Sequence, residues 1–292
     1  MNMTTSNDSI TPDISDDYPE DHPLHGRLNL DRFIFCPGCL IGTAITSITS
    51  CLVERGLTSK EYAIVSGIGC TGRSSCCFKA PAFHATHGRA IPFATGLKLA
   101  NPELEVFVLS GDGDLFAIGG NHFIHACRRN VEINVLCNNN GIYGMTGGQV
   151  APTTAIGDLT STSPFGNIEP PFNLVSLAAA SGASYVARWP GYDVLRLKKS
   201  IFAAMDNPGF SFIEVLAPCF TQLGRKNKLG DAVGMLEWLK KQVVIKTNCP
   251  PEDAEYSREK QKIVCGEFVN SPREGFTEKL QQLREVAQSK KR

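Results

Sequence analysis

Short apolar runs rich in Val and Ile alternate with helical stretches along most of this chain, and that alternation limits its fold more than any other feature. Strands are expected over 62–67, 105–110, 132–137, 184–188 and 210–216. Helices are expected over 43–54, 88–100, 119–129, 172–181 and 193–205. The strands are apolar on both faces, which fits a parallel sheet covered on two sides. Such an alternation implies an α/β fold, a doubly wound and mostly parallel sheet with right-handed crossovers. At 292 residues, 42% of them hydrophobic, the chain is long enough to bury a real core.

Ligands in such sheets sit outside the C-terminal edge of the strands. The first strand runs into Gly67-Ile68-Gly69-Cys70-Thr71-Gly72-Arg73 and the second into Gly111-Asp112-Gly113-Asp114. The third runs into Asn138-Asn139-Asn140-Gly141-Ile142-Tyr143-Gly144 and the last into Ala217-Pro218-Cys219. Four chemically distinctive loops should therefore meet on one edge.

Gly111-Asp112-Gly113, followed one helix and one strand later by Asn139-Asn140, carries a specific chemistry. Glycines let backbone amides approach a phosphate closely. Asp112 offers a carboxylate oxygen, Asn140 an amide oxygen and Ile142 a backbone carbonyl. Oxygen ligands from two loops, completed by phosphate oxygens and water, suit octahedral Mg²⁺ clamping a diphosphate. Each segment alone reads as an ordinary turn; their spacing together argues for a site.

The chain has 11 cysteines, an odd number. With no secretory signature, this favours metal or redox chemistry in a reducing cytoplasm over a disulfide scaffold. Cys36-Pro37-Gly38-Cys39 is a CxxC unit ahead of a helix, open to zinc, thioredoxin-like or iron–sulfur chemistry. Cys70 and Cys219 stand singly at strand ends facing the magnesium loops. Together the four can hold a 4Fe–4S cluster. Cys76 and Cys77 compete with Cys70. Cys51, Cys127 and Cys137 read as small buried hydrophobes, and Cys249 and Cys265 as incidental.

Other features bound the function. Lys+Arg and Asp+Glu both number 29, so the net charge is +0 and a basic nucleic-acid surface is not expected. No apolar run approaches the ~20 residues of a membrane span. Residues 1–21 are polar and acidic without Lys or Arg, so residues 1–30 read as a flexible arm rather than a signal peptide. Residues 31–224 form the binding domain. Residues 225–292, with a basic loop (224–230), a helix over 232–242 and an irregular 248–255, are expected to extend across a partner.

The GDG-to-NN pattern resembles the thiamine diphosphate signature, in which the Asp, the second Asn and a carbonyl two residues later bind Mg²⁺; these are Asp112, Asn140 and Ile142. The whole set resembles the β subunits of 2-oxoacid:ferredoxin oxidoreductases over about residues 35–242. It rests on CPGC (36–39), GIGCTGR (67–73), THGRAIPFATGLKLANP (86–102), GDGD (111–114), GGNHFIHACRR (119–129), NNGIYGMTGGQVAPTT (139–154) and FIEVLAPCFTQLGRKNK (212–228). The 2-oxoglutarate branch resembles it most, through GRKNK and YGMTGGQ.

That resemblance implies a diphosphate-binding thiamine fold and an α subunit that supplies the pyrimidine-binding domain and activating glutamate, in an (αβ)₂ heterotetramer. It implies coenzyme A-dependent, reversible oxidation of 2-oxoglutarate to succinyl-CoA and CO₂, with ferredoxin as electron acceptor. Cluster ligands carry over to Cys36, Cys39, Cys70 and Cys219, and cofactor contacts to Ile68, Gly69, Cys70, Thr71, Gly111, Gly113, Asp114, Gly144 and Met145. Leu40 departs from the family, where glycine commonly follows CPGC; a local packing change is expected.

His87 ahead of a helix is a candidate proton-transfer group near the reacting carbon, or simply a helix cap. Arg73 is a candidate partner for a substrate carboxylate, or a solvated surface residue. Pyruvate or a broad 2-oxoacid range are alternative substrates. A non-redox thiamine lyase keeps the GDG–NN site but has no use for four cysteines. A zinc-stabilised binding module is a third possibility.

Overall fold

The computed structural model describes residues 17–257 and 262–290. In chain order its elements are α1 (Ile41–Glu54), β1 (Tyr62–Ser66), β2 (Ala82–His84), α2 (Ala90–Ala100), β3 (Glu105–Gly111), α3 (Gly120–Arg129), β4 (Asn134–Asn139), α4 (Leu174–Ala180), β5 (Tyr185–Pro190) and α5 (Val194–Asp206). They continue with β6 (Ser211–Leu216), α6 (Ala232–Gln242), β7 (Val243–Ile245), β8 (Tyr256–Ser257), β9 (Lys262–Asn270) and α7 (Phe276–Ser289).

Among the described residues the strands form one sheet in the order β2-β1-β3-β4-β6-β5-β9-β7, with β8 against β9. β1 to β6 are mutually parallel. Successive residues of each strand enter opposite cores. Val65, Val108, Val135 and Phe212 pack with α2, α3 and α4, while Ile64, Leu109, Leu136 and Ile213 pack with α1 and α5. The fold is thus the expected doubly wound α/β sheet, with a period-2 side-chain alternation and both faces covered. From β1 the chain steps outward to β2 and then back across to β3, so strand order reverses at β1. The crevice between the C-terminal ends of β1 and β3 is the topological switch point, where such sheets take ligands.

The five expected strands and five expected helices are all present, with ends shifted by up to two residues. β2 was not expected. Its three residues, Ala82-Phe83-His84, are too few and too poor in β-branched side chains to signal a strand. The C-terminal region also differs from the expected extension. β9 is nine residues long and pairs antiparallel with β5, so the sheet continues well past residue 224. Arg188 fixes this junction from beneath. Its Nε lies 2.6 Å from Glu214, both side chains fully buried, and its guanidinium donates to the Val264 carbonyl at 3.0 Å and to Asn173 at 2.8 Å. Removing one partner from a buried pair of this kind costs about 3–5 kcal/mol.

At the N-terminus, the part of the acidic arm before residue 17 lies outside the described residues. From Asp17 onward the chain is anchored: Asp17 pairs with Lys79 at 2.8 Å, and Leu24 and Leu28 are buried.

One ionisable group far from the ligand edge gives the fold a pH dependence. Burial at the start of β3 pushes the Glu105 carboxyl up to about 7, against smaller lowering effects from Lys98 and the Asn134 amide. The folded chain therefore holds a proton that the unfolded chain, titrating at 4.5, releases. The associated stability is complete below pH 4.5 and is lost as pH rises through 7. At about 1.4 kcal/mol per pH unit it amounts to about 3 kcal/mol. Glu105→Gln should remove this decline and raise the unfolding temperature at pH 8 above wild type. Parallel stability–pH curves for the two proteins would contradict it.

Candidate cofactor cleft and cysteine cavity

Asp114 ties three loops together. Its buried carboxylate accepts from Ile68 N at 3.2 Å, Gly88 N at 2.8 Å and Ser110 Oγ at 2.7 Å. A Cβ on Gly67 would lie 1.8 Å from Asp114 Oδ2, so only glycine allows this approach. The His87 ring nitrogen Nδ1 stands 2.5 Å from Asp114 Oδ1. That is ion-pair distance, but off the line of a well-aligned hydrogen bond, since the same nitrogen has no aligned partner. The Asp114 carboxylate nonetheless fixes the orientation of the ring, which is partly exposed.

The loops close round a cleft of about 100 Å³ at the switch point. Its walls are Ile68, Gly69, Cys70, Thr71, His87, Gly111, Asp112, Gly113, Asp114, Asn140, Ile142, Tyr143, Gly144, Met145 and Thr146. Every residue expected from the sequence to touch the cofactor or its Mg²⁺ lines this one cleft. Asp112 is buried; it accepts from the Thr153 hydroxyl and, at 3.4 Å, from Asn140 N. Desolvation pushes its carboxyl up to about 6 despite those bonds. A buried carboxylate under that penalty is stabilised by a cation. The Asn140 side-chain oxygen accepts from Ile142 N at 3.2 Å and has a second lone pair. Thr71 is buried with its hydroxyl unpartnered, beside Gly111. This donor set, an acidic oxygen, an amide oxygen and a free hydroxyl among glycines, fits an Mg²⁺-bound diphosphate.

A second, larger cavity of about 260 Å³ adjoins the cleft. Cys36, Cys39, Cys70 and Cys219 all line it. Cys36-Pro37-Gly38-Cys39 reaches it through a turn, with Cys39 N donating to Cys36 O at 3.0 Å and Gly38 at φ +86°. Cys219 is set by the magnesium loop itself, its N donating to Asn140 O at 3.1 Å, and its sulfur lies 3.2 Å from Thr221 Oγ1. Burial, reinforced by neighbouring sulfurs, pushes the Cys70 thiol up to about 11 and the Cys39 thiol upward too. Among the described residues no three His, Cys, Asp or Glu side chains are close enough to hold a single metal ion. Four thiolates on one zinc would sit within about 4 Å of one another; a multi-iron cluster, itself several atoms across, spaces them more widely. The four-cysteine cavity thus fits a cluster better than it fits zinc.

A single glycine divides the two spaces. A Cβ on Gly144 would stand 3.3 Å from Cys219 Sγ and 3.7 Å from Cys70 Sγ. Cys70, Asn140, Gly144 and Met145 belong to both walls. Cys76 is exposed and Cys77 buried, and neither lines the cavity. Arg73 lines the cysteine cavity and not the cleft, which differs from the expectation that it would reach a carboxylate above the cofactor. Leu40 adopts φ 66°, ψ −2° at the start of α1. Glycine accepts this left-handed conformation freely, whereas leucine pays about 1–2 kcal/mol. Leu40 thus carries backbone strain at a position whose conformation suits glycine.

Three site features had no signal in the sequence. Thr153 reaches Asp112 across 41 residues. Tyr143 packs against Gly113 and donates to its carbonyl at 3.0 Å. Asn139 donates to the buried Glu214 at 2.7 Å and accepts from Gly141 N at 3.1 Å, which couples the Arg188 junction to the magnesium loop.

Comparison with known proteins agrees with this geometry. Residues 67–215 match the family model of the thiamine pyrophosphate enzyme, C-terminal TPP binding domain. The chain is 43% identical over 266 residues to the 2-oxoglutarate synthase subunit KorB of Methanothermobacter marburgensis, covering 89% of this chain and 92% of the relative. It is 42% identical over 270 residues to the subunit of the same name from Methanocaldococcus jannaschii, covering 92% and 99%. Among solved structures, a 2-oxoglutarate:ferredoxin oxidoreductase from Magnetococcus marinus with 2-oxoglutarate, coenzyme A and succinyl-CoA bound superposes with a TM-score of 0.76 at 30% identity, covering 87% of this chain and 86% of that one. With a thiamine-type cleft at the switch point and full-length relatives of one kind, the chain belongs to the family of 2-oxoacid:ferredoxin oxidoreductase β subunits.

Proposed function

We propose that this chain is the β subunit of a coenzyme A-dependent 2-oxoglutarate:ferredoxin oxidoreductase that interconverts 2-oxoglutarate with succinyl-CoA and CO₂. The observation that carries the reading is the common wall between the cleft and the four-cysteine cavity. A cluster in that cavity would stand directly beside a cofactor in the cleft, which supports one-electron chemistry there. A non-redox lyase has no need of that arrangement.

When bound, thiamine diphosphate supplies the electron sink for decarboxylation, and a 4Fe–4S cluster a one-electron carrier. Asp112, Asn140 and Ile142 would hold Mg²⁺ on the diphosphate, with Thr71, Gly111 and Gly113 as further diphosphate contacts. Ile68, Gly69, Cys70, Gly144 and Met145 would form the remaining contacts. Cys36, Cys39, Cys70 and Cys219 would hold the cluster. His87, its Nδ1 turned to the Asp114 carboxylate, presents Nε2 to the cleft for a proton at the substrate. The partly open cleft is completed by an α subunit in an αβ pair or an (αβ)₂ heterotetramer. Ferredoxin takes the electrons. No helix among the described residues is long and apolar enough to cross a membrane, and a cytoplasmic setting agrees with free thiols.

Anaerobic assay of the co-purified α and β chains tests the reading. Coenzyme A-dependent ferredoxin reduction should be fastest with 2-oxoglutarate. Preference for pyruvate or 2-oxobutyrate would reassign the substrate, and decarboxylation without ferredoxin reduction would favour the lyase.

A further inference from the structure

The cysteine cavity has one charged residue in its wall. Besides the four cysteines, the lining is apolar or neutral, including Ile34, Phe35, Phe220, Thr221 and Gln222, with Arg73 as the sole ionic side chain. Arg73 follows Cys70 by one turn of a 3₁₀ helix (Thr71–Cys77), with Arg73 N donating to Cys70 O at 3.3 Å. Among the described residues no carboxylate pairs with it. It does not line the cofactor cleft.

We propose that Arg73 sets the reduction potential of the cluster held by Cys36, Cys39, Cys70 and Cys219. The proposal rests on the reading of that cavity as a 4Fe–4S site. Oxidation of the 2-oxoacid releases two electrons, one at a time. Each enters the cluster, adds one negative charge to an already anionic iron–sulfur–thiolate group, and leaves for ferredoxin; no bond or proton changes at Arg73. A fixed cation in the wall stabilises the reduced state more than the oxidised one and so raises the potential. The apolar walls lengthen its reach, while solvent on the exposed face of Arg73 weakens it. The Thr221 hydroxyl, 3.2 Å from Cys219 Sγ, acts in the same direction by donating to a thiolate.

An EPR-monitored redox titration of the anaerobic αβ complex tests this with Arg73→Lys, Arg73→Gln and Arg73→Glu. Arg73→Gln should lower the midpoint potential by about 60 mV, a roughly tenfold shift in a one-electron equilibrium. Arg73→Glu should lower it further, and Arg73→Lys should stay near wild type. The spread should narrow in 1 M salt, where the screening length falls to about 3 Å. A structural role alone would not give a series graded by charge. Equal potentials across the series at low salt would overturn the proposal. A raised KM for ferredoxin alone would then make Arg73 a docking residue, and a raised KM for 2-oxoglutarate alone a substrate partner. Wild-type complex without iron and acid-labile sulfide on this chain would instead remove the cluster reading, and this proposal with it.

Discussion

Cys70→Ser is expected to remove most of the cluster absorbance of the anaerobic complex and to abolish ferredoxin reduction, while Cys76→Ser should leave both unchanged. The two positions are six residues apart in one loop, so composition and local sequence barely distinguish them. The fold does. Cys70 ends the β1 loop inside the cavity shared with Cys36, Cys39 and Cys219; Cys76 is exposed and does not line that cavity. Serine is nearly isosteric with cysteine but a poor ligand for iron. Because Cys70 also borders the cleft, its variant is the stricter test of the shared wall. Thiamine diphosphate should still bind, through Asp112 and Asn140. The reverse pattern, with Cys76→Ser losing the cluster, would break the assignment and require the Thr71–Cys77 helix to unwind.

The second large effect is expected at Asp112. Asp112→Ala should reduce retention of thiamine diphosphate by well over the roughly 10–100-fold that outer-shell changes at a metal site cost, and leave the cluster spectrum largely intact. Asp112 supplies the one anionic protein oxygen among the proposed Mg²⁺ ligands, and it is held by Thr153 and by the Asn140 backbone. Thr153→Val should show the milder, outer-shell loss. Equilibrium binding of the cofactor at saturating Mg²⁺ measures both. Wild-type affinity in the Asp112→Ala protein would place the cation elsewhere.

Much of this site is legible in the sequence because it is built from strand ends. Glycines, a carboxylate and paired asparagines at the close of β1, β3 and β4 carry their chemistry in their identity, and parallel order brings their loops to one edge. What the sequence hides is of another kind. Thr153 and Tyr143 are ordinary residues whose roles arise from contacts across the fold. Arg188 and Glu214 lie in strands that read as apolar, and become visible only when β9 closes over β5. β9 is itself rich in Ile, Val and Phe, but it follows an irregular stretch that reads as the end of the domain. The split between cleft and cavity, which moves Arg73 from the substrate side to the cysteine side, depends on where Gly144 passes between two sulfurs. No spacing in the sequence encodes that.

The most direct test of the account is to measure iron, acid-labile sulfide and thiamine diphosphate on this chain after anaerobic purification with its partner and separation from it. One 4Fe–4S cluster and, in the complex, one Mg²⁺-bound thiamine diphosphate are expected for each β chain. Zinc in place of iron, or iron and sulfide found only with the partner, would contradict it.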